Sequence, residues 1–266
     1  MTVWKIAGLA AMLLAAPTPA LAWGKTGHRA AAAVADTHLS GLARARVQQI
    51  LGAESLDEAS TWPDEQRSNP DPFWQKTASP WHYVTVGGFT YDRAPSEGDA
   101  VTALRRFSAV LRDPASSREQ QQLALRFIVH IVTDLHQPLH VGKGDDRGGN
   151  DVEVTWFGRS TNLHAVWDSA LVDEEALSFS EWAERLRRHS TPEDTIANWA
   201  ANPQVWISES AQIRDTIYPD KPELGYDYVY RHTPTVKRRL QLAGIRLAAY
   251  LNQLLEIPTA PIAPAP

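Results

Sequence analysis

The run R-F-I-V-H-I-V-T-D-L-H-Q-P-L-H at 126–140 sets three histidines and an aspartate within eleven residues. His130 and Asp134 are four apart, which on a helix places them roughly 40° from each other and lets both reach one cation. Pro138 then ends or kinks the helix and turns the chain towards His140. A second run, N-L-H-A-V-W-D at 162–168, repeats the spacing with His164 and Asp168. Two such pairs in a chain with nine histidines point to a cluster of metal ions. Cysteine is absent, so the ligands on offer are imidazole nitrogen and carboxylate oxygen. Structural zinc favours thiolates; a nitrogen and oxygen set points instead to a catalytic metal.

Three further segments carry candidate ligands. In W-G-K-T-G-H, a chain beginning at Trp23 would present an α-amine with a pKa near 8, whose proton a metal can displace. Its amine and carbonyl could chelate one ion, and Gly24 and Gly27 allow the tight return to His28. In S-T-W-P-D-E-Q-R, Asp64 and Arg67 are three apart on one helix face, the spacing of an ordinary surface ion pair. In P-W-H-Y-V-T-V, His82 falls in an apolar strand, where a histidine is commonly a partly buried structural residue. Taken together, Trp23, His28, Asp64, His82, His130, Asp134, His140, His164 and Asp168 make five histidines, three aspartates and a terminal chelate. At about three protein ligands plus water per catalytic zinc, they suit about three ions.

The elements that must position these residues are mostly helical. An alanine-rich segment over 29–36 favours helix, and Ser40 caps a second helix to Leu51. Ser55 with Glu58 forms a capping box ahead of the 62–67 region. Apolar residues over 100–111 recur at helical spacing, and Ser116 with Glu119 caps the helix that carries His130 and Asp134. Later helices are expected over 180–189, 193–214 and 226–255. Strands are expected only at 81–86 and 151–157, the latter after a Gly148-Gly149 turn. The expected fold is mainly α, a single multi-helix domain over 23–255 with a few short β-strands. Residues 1–22 combine Lys5, an apolar run of eleven and a terminal A-L-A, the pattern of a secretory signal peptide cleaved ahead of Trp23. Residues 256–266 read as a Pro-rich disordered tail. The net charge is −5, with no basic block to hold duplex DNA by counterion release. No stretch reaches the ~20 apolar residues of a membrane span.

These motifs in combination resemble the zinc-dependent single-strand-specific nucleases of the S-one/P-one type, whose fold is shared with the bacterial zinc phospholipases C. The resemblance runs from Trp23 to about Leu255, through W-G-x-x-G-H, W-P-D, W-H-Y, H-x-x-x-D-x-x-x-x-x-H, G-G-N and N-L-H-x-x-W-D. It implies three Zn²⁺ per chain: one held by Asp64, His82, His130 and Asp134; one by Trp23, His28 and the other oxygen of Asp134; one by His140, His164 and Asp168. It implies hydrolysis of single-stranded DNA and RNA to 5′-phosphorylated products, with 3′-nucleotidase activity, by a hydroxide between the close pair of metals attacking phosphorus in line. Catalytic roles fall to Asp64, Arg67 and Asp134, with Arg67 stabilising the phosphate in flight. Tyr83 matches the position that stacks a base, and Arg147, Gly148, Gly149 and Asn150 form the other wall. Thr85 departs from the family's fungal pattern of a carboxylate or amide that reads the base edge, which implies a weaker or different base preference. The resemblance further implies 3′-nucleotides as substrates, no obligate protein partner and a periplasmic or secreted location. His38, His136, His189 and His232 match no ligand position and read as surface or structural. The rivals are a phospholipase C-like phosphodiesterase on the same scaffold and a non-catalytic zinc-binding protein.

Overall fold

A computed structural model of the chain describes residues 23–256. The expected signal peptide and all of the expected Pro-rich tail except Glu256 lie outside the described residues. Eleven α-helices order the described chain: α1 (Lys25–Thr37), α2 (Gly41–Leu51), α3 (Leu56–Glu65), α4 (Ala100–Arg112), α5 (Arg118–Asp134), α6 (Leu163–Ala165), α7 (Leu171–Asp173), α8 (Phe179–Arg188), α9 (Pro192–Ala197), α10 (Pro203–Arg214) and α11 (Tyr226–Leu255). Strands are few and short: β1 (Val84–Thr85), β2 (Val141–Gly142), β3 (Glu153–Trp156), β4 (Arg159–Asn162) and β5 (Glu223–Leu224). The fold is therefore mainly α, as expected.

Helix α5 is the central pillar. From Ala124 to Asp134 only Arg126 escapes burial, because α1, α2, α3, α4 and α11 all pack around it. Its apolar residues join α2, α4 and the far half of α11 in one core cluster, while α1, α8 and the near half of α11 enclose a second around Trp167 and Trp182. The pillar delivers His130 and Asp134, which are polar, into a dry interior. Burial of that kind is sustained only by partners or by a bound ion.

Capping explains most helix starts. Ser55 and Glu58 form the expected reciprocal box at α3. At α5 the expected cap moves by one residue: Ser117 and Gln120 form the box, and the Glu119 side chain accepts from Ser117 Oγ. Both S-x-x-E and S-x-x-Q frames stand in S-S-R-E-Q, and the second one starts the helix. The helix expected over 193–214 divides into α9 and α10, since Asn202 caps and Pro203 begins a new helix. The strand expected over 81–86 shrinks to β1. Residues Ser79–His82 form a 3-10 turn with Pro80 at its start, and β1 finds only two partners, in parallel register on β2. A hairpin joins β3 to β4 with Glu153 opposite Asn162, and β5 adds to β3 in parallel.

Candidate metal centre

Seven elements bring the candidate ligands to one place. Helix α1 supplies His28, α3 supplies Asp64, the end of α5 supplies His130 and Asp134, and the Ser79–His82 turn supplies His82. A 3-10 turn, Pro138–His140, follows α5 and carries His140; α6 and the π-helical turn Val166–Ala170 carry His164 and Asp168. All eight side chains are buried. They gather as His28, His130 and Asp134; as Asp64, His82 and His130; and as His140, His164 and Asp168. Asp134 joins the first two groups, with Oδ1 3.3 Å from His28 Nε2 and Oδ2 3.1 Å from His130 Nε2 and 3.4 Å from His82 Nδ1.

The hydrogen bonds around these rings fix their tautomers. His130 Nδ1 donates to Ser60 O at 2.7 Å, His140 Nδ1 to His82 O at 2.7 Å and His164 Nδ1 to Gly148 O at 2.6 Å. A carbonyl only accepts, so each Nδ1 bears a proton, which leaves Nε2 as the nitrogen free to face a cation. His28 follows indirectly. The Thr133 hydroxyl donates to His130 O, so it accepts from His28 Nδ1. His82 is turned the other way, with Nδ1 only 2.8 Å from His130 Nε2.

The donor set fits divalent zinc. Six ligand atoms are buried without any hydrogen-bond partner: His28 Nε2, Asp64 Oδ1, both oxygens of Asp134, His140 Nε2 and Asp168 Oδ2. Each unmet group of this kind costs about 1–3 kcal/mol, more when charged. A cation coordinated by them removes that cost, and nitrogen and oxygen ligands of this type suit Zn²⁺. The electrostatics agree. Burial would raise Asp134, yet His130 and His140 hold it well below the usual carboxylate range. Burial likewise opposes the charge on Asp168, but His164 and His140 bring it to about 2. Burial disfavours a proton on His140, and Asp134 and Asp168 nevertheless lift it to about 9. His82 falls to about 4, chiefly through burial. The carboxylates stay ionised and their negative field favours positive charge at the centre.

Trp23 is fully buried, and its indole N–H donates to Thr133 O at 3.1 Å. Thr133 thus positions both Trp23 and His28. Gly24 N donates to Asp168 O at 2.6 Å, and a Cβ on Gly24 would overlap Ser169 Oγ, which explains the glycine after the tryptophan.

A cavity of about 630 Å³ opens over the centre. Tyr83, Thr85, Arg147, Gly148 and Asn150 line it with His82, His140 and His164, and so does Arg67, whose Nε is 3.2 Å from Asp64 Oδ1. Tyr83 is 45% exposed. Gly149 does not line the cavity; its carbonyl accepts from His164 N instead. Gly148, at φ 64°, lies so close to Leu139 O that a Cβ would overlap it, and its carbonyl holds the His164 ring. Arg147 pairs with Asp151 at the rim. The wall bearing Thr85 is fastened from behind by the buried Arg214, which donates to Val86 O and Val141 O. Sequence reasoning missed Trp74, Gln75 and Asn162, which also line the cavity, and the supporting residues Ser60, Thr133 and Gln137. Asn162 had a readable signal, as the N-cap residue ahead of L-H-A, where it accepts from Ala165 N.

Comparison with known proteins gives the family. The family described as S1/P1 nuclease matches residues 23–256. The chain belongs to the S1/P1 nuclease family. Endonuclease 2 of Arabidopsis thaliana is 31% identical, over 95% of this chain and 94% of its own length. Nuclease S1 of Aspergillus oryzae is 27% identical, over 89% and 93%. Nuclease P1 of Penicillium citrinum is 27% identical, over 87% and 97%. As a member of this zinc-dependent S1/P1 nuclease family, the protein is a hydrolase acting on nucleic acid. Of the unassigned histidines, His189 is exposed, His38 is half-buried and His232 is buried. His136 is fully buried under Arg239 and Arg246 of α11, structural and far from the surface.

Proposed function

We propose that this nuclease is an extracytoplasmic endonuclease that cuts single-stranded DNA and RNA to 5′-phosphorylated products and removes phosphate from 3′-nucleotides, using three zinc ions. The observation that carries the reading is the set of six buried candidate ligand atoms without hydrogen-bond partners, next to a cavity that His82, His140 and His164 line together with an exposed tyrosine. Residues 1–22 act as a signal peptide in this reading, and its removal frees the amine of Trp23 as a ligand. The mature domain then spans 23–255, and the protein is exported to the periplasm or beyond. Among the described residues no helix is long and apolar enough to cross a membrane.

Asp64, His82, His130 and Asp134 would hold one ion, Trp23, His28 and Asp134 a second, and His140, His164 and Asp168 the third. Bound zinc supplies Lewis acidity, bringing the pKa of water near neutrality and offsetting charge on phosphate and on the departing oxygen. Asp64 is held ionised against its burial by His130 and Arg67. Its buried Oδ1 accepts a hydrogen bond from the attacking water and orients it towards phosphorus. Arg67, at 3.2 Å from that oxygen, donates to the equatorial phosphoryl oxygens as their charge grows. Tyr83 stacks a base that has left its helical stack, which is the physical basis of a single-strand preference. Thr85 has a hydroxyl where a longer polar side chain would read the base, so discrimination among bases is weak.

The test is to incubate the chain beginning at Trp23 with single-stranded DNA, duplex DNA, RNA, a 3′-mononucleotide and a choline phospholipid, with and without a chelator. Chelator-sensitive cleavage of the single strands, leaving 5′-phosphates, is the expected result. Hydrolysis of the phospholipid alone would move the protein to a lipid phosphodiesterase.

A further inference from the structure

The loop that follows α5 contains a fully buried glutamine, Gln137, that no ligand assignment uses. Its two polar ends are both engaged. Oε1 accepts from Leu139 N at 2.5 Å, and Nε2 donates to Asp168 Oδ1 at 2.5 Å. The backbone N–H of Leu139 can only donate, so it fixes the oxygen end of the amide; the NH₂ end must face Asp168. No rotation of the amide satisfies both partners the other way round.

The consequences meet at one ion site. Through Oε1, Gln137 caps the Pro138–His140 turn that carries His140. Through Nε2, it occupies Oδ1 of Asp168 and leaves Oδ2 as the oxygen without a hydrogen-bond partner, 3.0 Å from His164 Nε2. His140 Nε2, likewise partnerless, lies 3.6 Å from the engaged Oδ1. One neutral side chain therefore sets two of the three ligands of the His140, His164 and Asp168 group, which stand 28 residues apart in the chain.

We infer that Gln137 is a positioning residue dedicated to this third ion site: it selects which carboxylate oxygen of Asp168 meets the cation and aligns His140 to the same point. The inference rests on the three-ion reading of the centre. The Gln137 side chain has no hydrogen bond to the ligands of the other two groups, and the bond from its backbone N–H to Asp134 O survives a side-chain substitution, so the effect of the variants is local to one ion. Residues that orient metal ligands typically account for 10–100-fold in metal affinity.

The experiment compares the full zinc-loaded protein with Gln137→Met, which keeps the volume and removes both hydrogen bonds, and Gln137→Glu, which keeps the acceptor and removes the donor. Zinc per chain is measured by elemental analysis after dialysis, and release is followed with a chromophoric chelator. The wild type is expected to retain three zinc ions. Both variants are expected to retain two, with the third bound 10–100-fold more weakly and the other two released as in the wild type. Circular dichroism and melting of the chelated proteins report on folding separately. If both variants keep three ions with unchanged release, or lose all three together with a lowered melting temperature of the chelated protein, the inference is overturned. A wild type that binds fewer than three ions would instead refute the three-ion reading itself.

Discussion

Asp134→Asn is the substitution whose effect can be worked furthest. Both carboxylate oxygens are buried without hydrogen-bond partners, one facing His28 Nε2 and the other facing His130 and His82. Asparagine keeps the shape but offers one neutral oxygen, and its NH₂ points at a lone pair or at a cation. The two ions that share Asp134 in the proposed arrangement are therefore lost or greatly weakened. A ligand present at 1,000 times its Kd stabilises the folded state by about 4.1 kcal/mol per site, so two sites contribute about 8 kcal/mol. For a domain of 150–250 residues each kcal/mol moves the melting temperature by about 2–4 °C. With zinc in such excess, Asp134→Asn should melt about 15–30 °C below the wild type. In chelator the gap should close to a few degrees, because only local electrostatics then differ. Differential scanning calorimetry at matched zinc and in chelator measures both. An equal gap in the two conditions would show that Asp134 acts through the fold alone, and no gap in zinc would remove it from the metal centre.

Other consequences are smaller in scope. Arg67→Ala should lower kcat for single-stranded DNA by about 10²–10³-fold at unchanged zinc content, the usual cost of one preorganised donor; elemental analysis and steady-state kinetics decide it. Tyr83→Ala removes a stacking contact worth about 1–3 kcal/mol per base, so KM should rise about 5–150-fold with kcat little changed. One residue added ahead of Trp23 blocks the α-amine and should cost close to one equivalent of zinc, read by elemental analysis against the chain that begins at Trp23. Burial, reinforced by Arg231, holds His232 down to about 4, against about 6.5 in an unfolded chain. The native state takes up that proton later than the unfolded one, so the contribution is complete above pH 6.5 and is lost as pH falls towards 4. In chelator, His232→Phe should gain stability relative to wild type as pH drops from 7.5 to 4.5; a difference constant with pH in urea unfolding would contradict this.

The candidate ligands were legible because their spacing is local physics. His130 with Asp134, and His164 with Asp168, stand one helical turn apart, and the structure places each pair within 3.1 Å. The capping box at Ser55 and the glycines at 148 and 149 were legible for the same reason, since caps and left-handed turns are written in adjacent residues. What could not be read is what depends on distant parts of the chain. His136 is buried because Arg239 and Arg246, about a hundred residues later, close over it, with Glu209 of α10 binding both guanidiniums. The turn around His82 looked like a strand because aromatic and β-branched residues favour one, but its only strand partner is a two-residue segment after the Pro138 turn. Gln137 gave no signal at all, because its role exists only once Asp168 has been folded against it.

The most direct measurement is a zinc back-titration of the chelated, dialysed chain beginning at Trp23, with cleavage of a single-stranded oligonucleotide and of its duplex followed at each addition. Activity on the single strand should be absent at first, should return as zinc is added and should level off at about three equivalents per chain, with the duplex cut far more slowly throughout. Undiminished cleavage in the chelated protein, or three bound zinc ions with no cleavage of the single strand, would contradict the account.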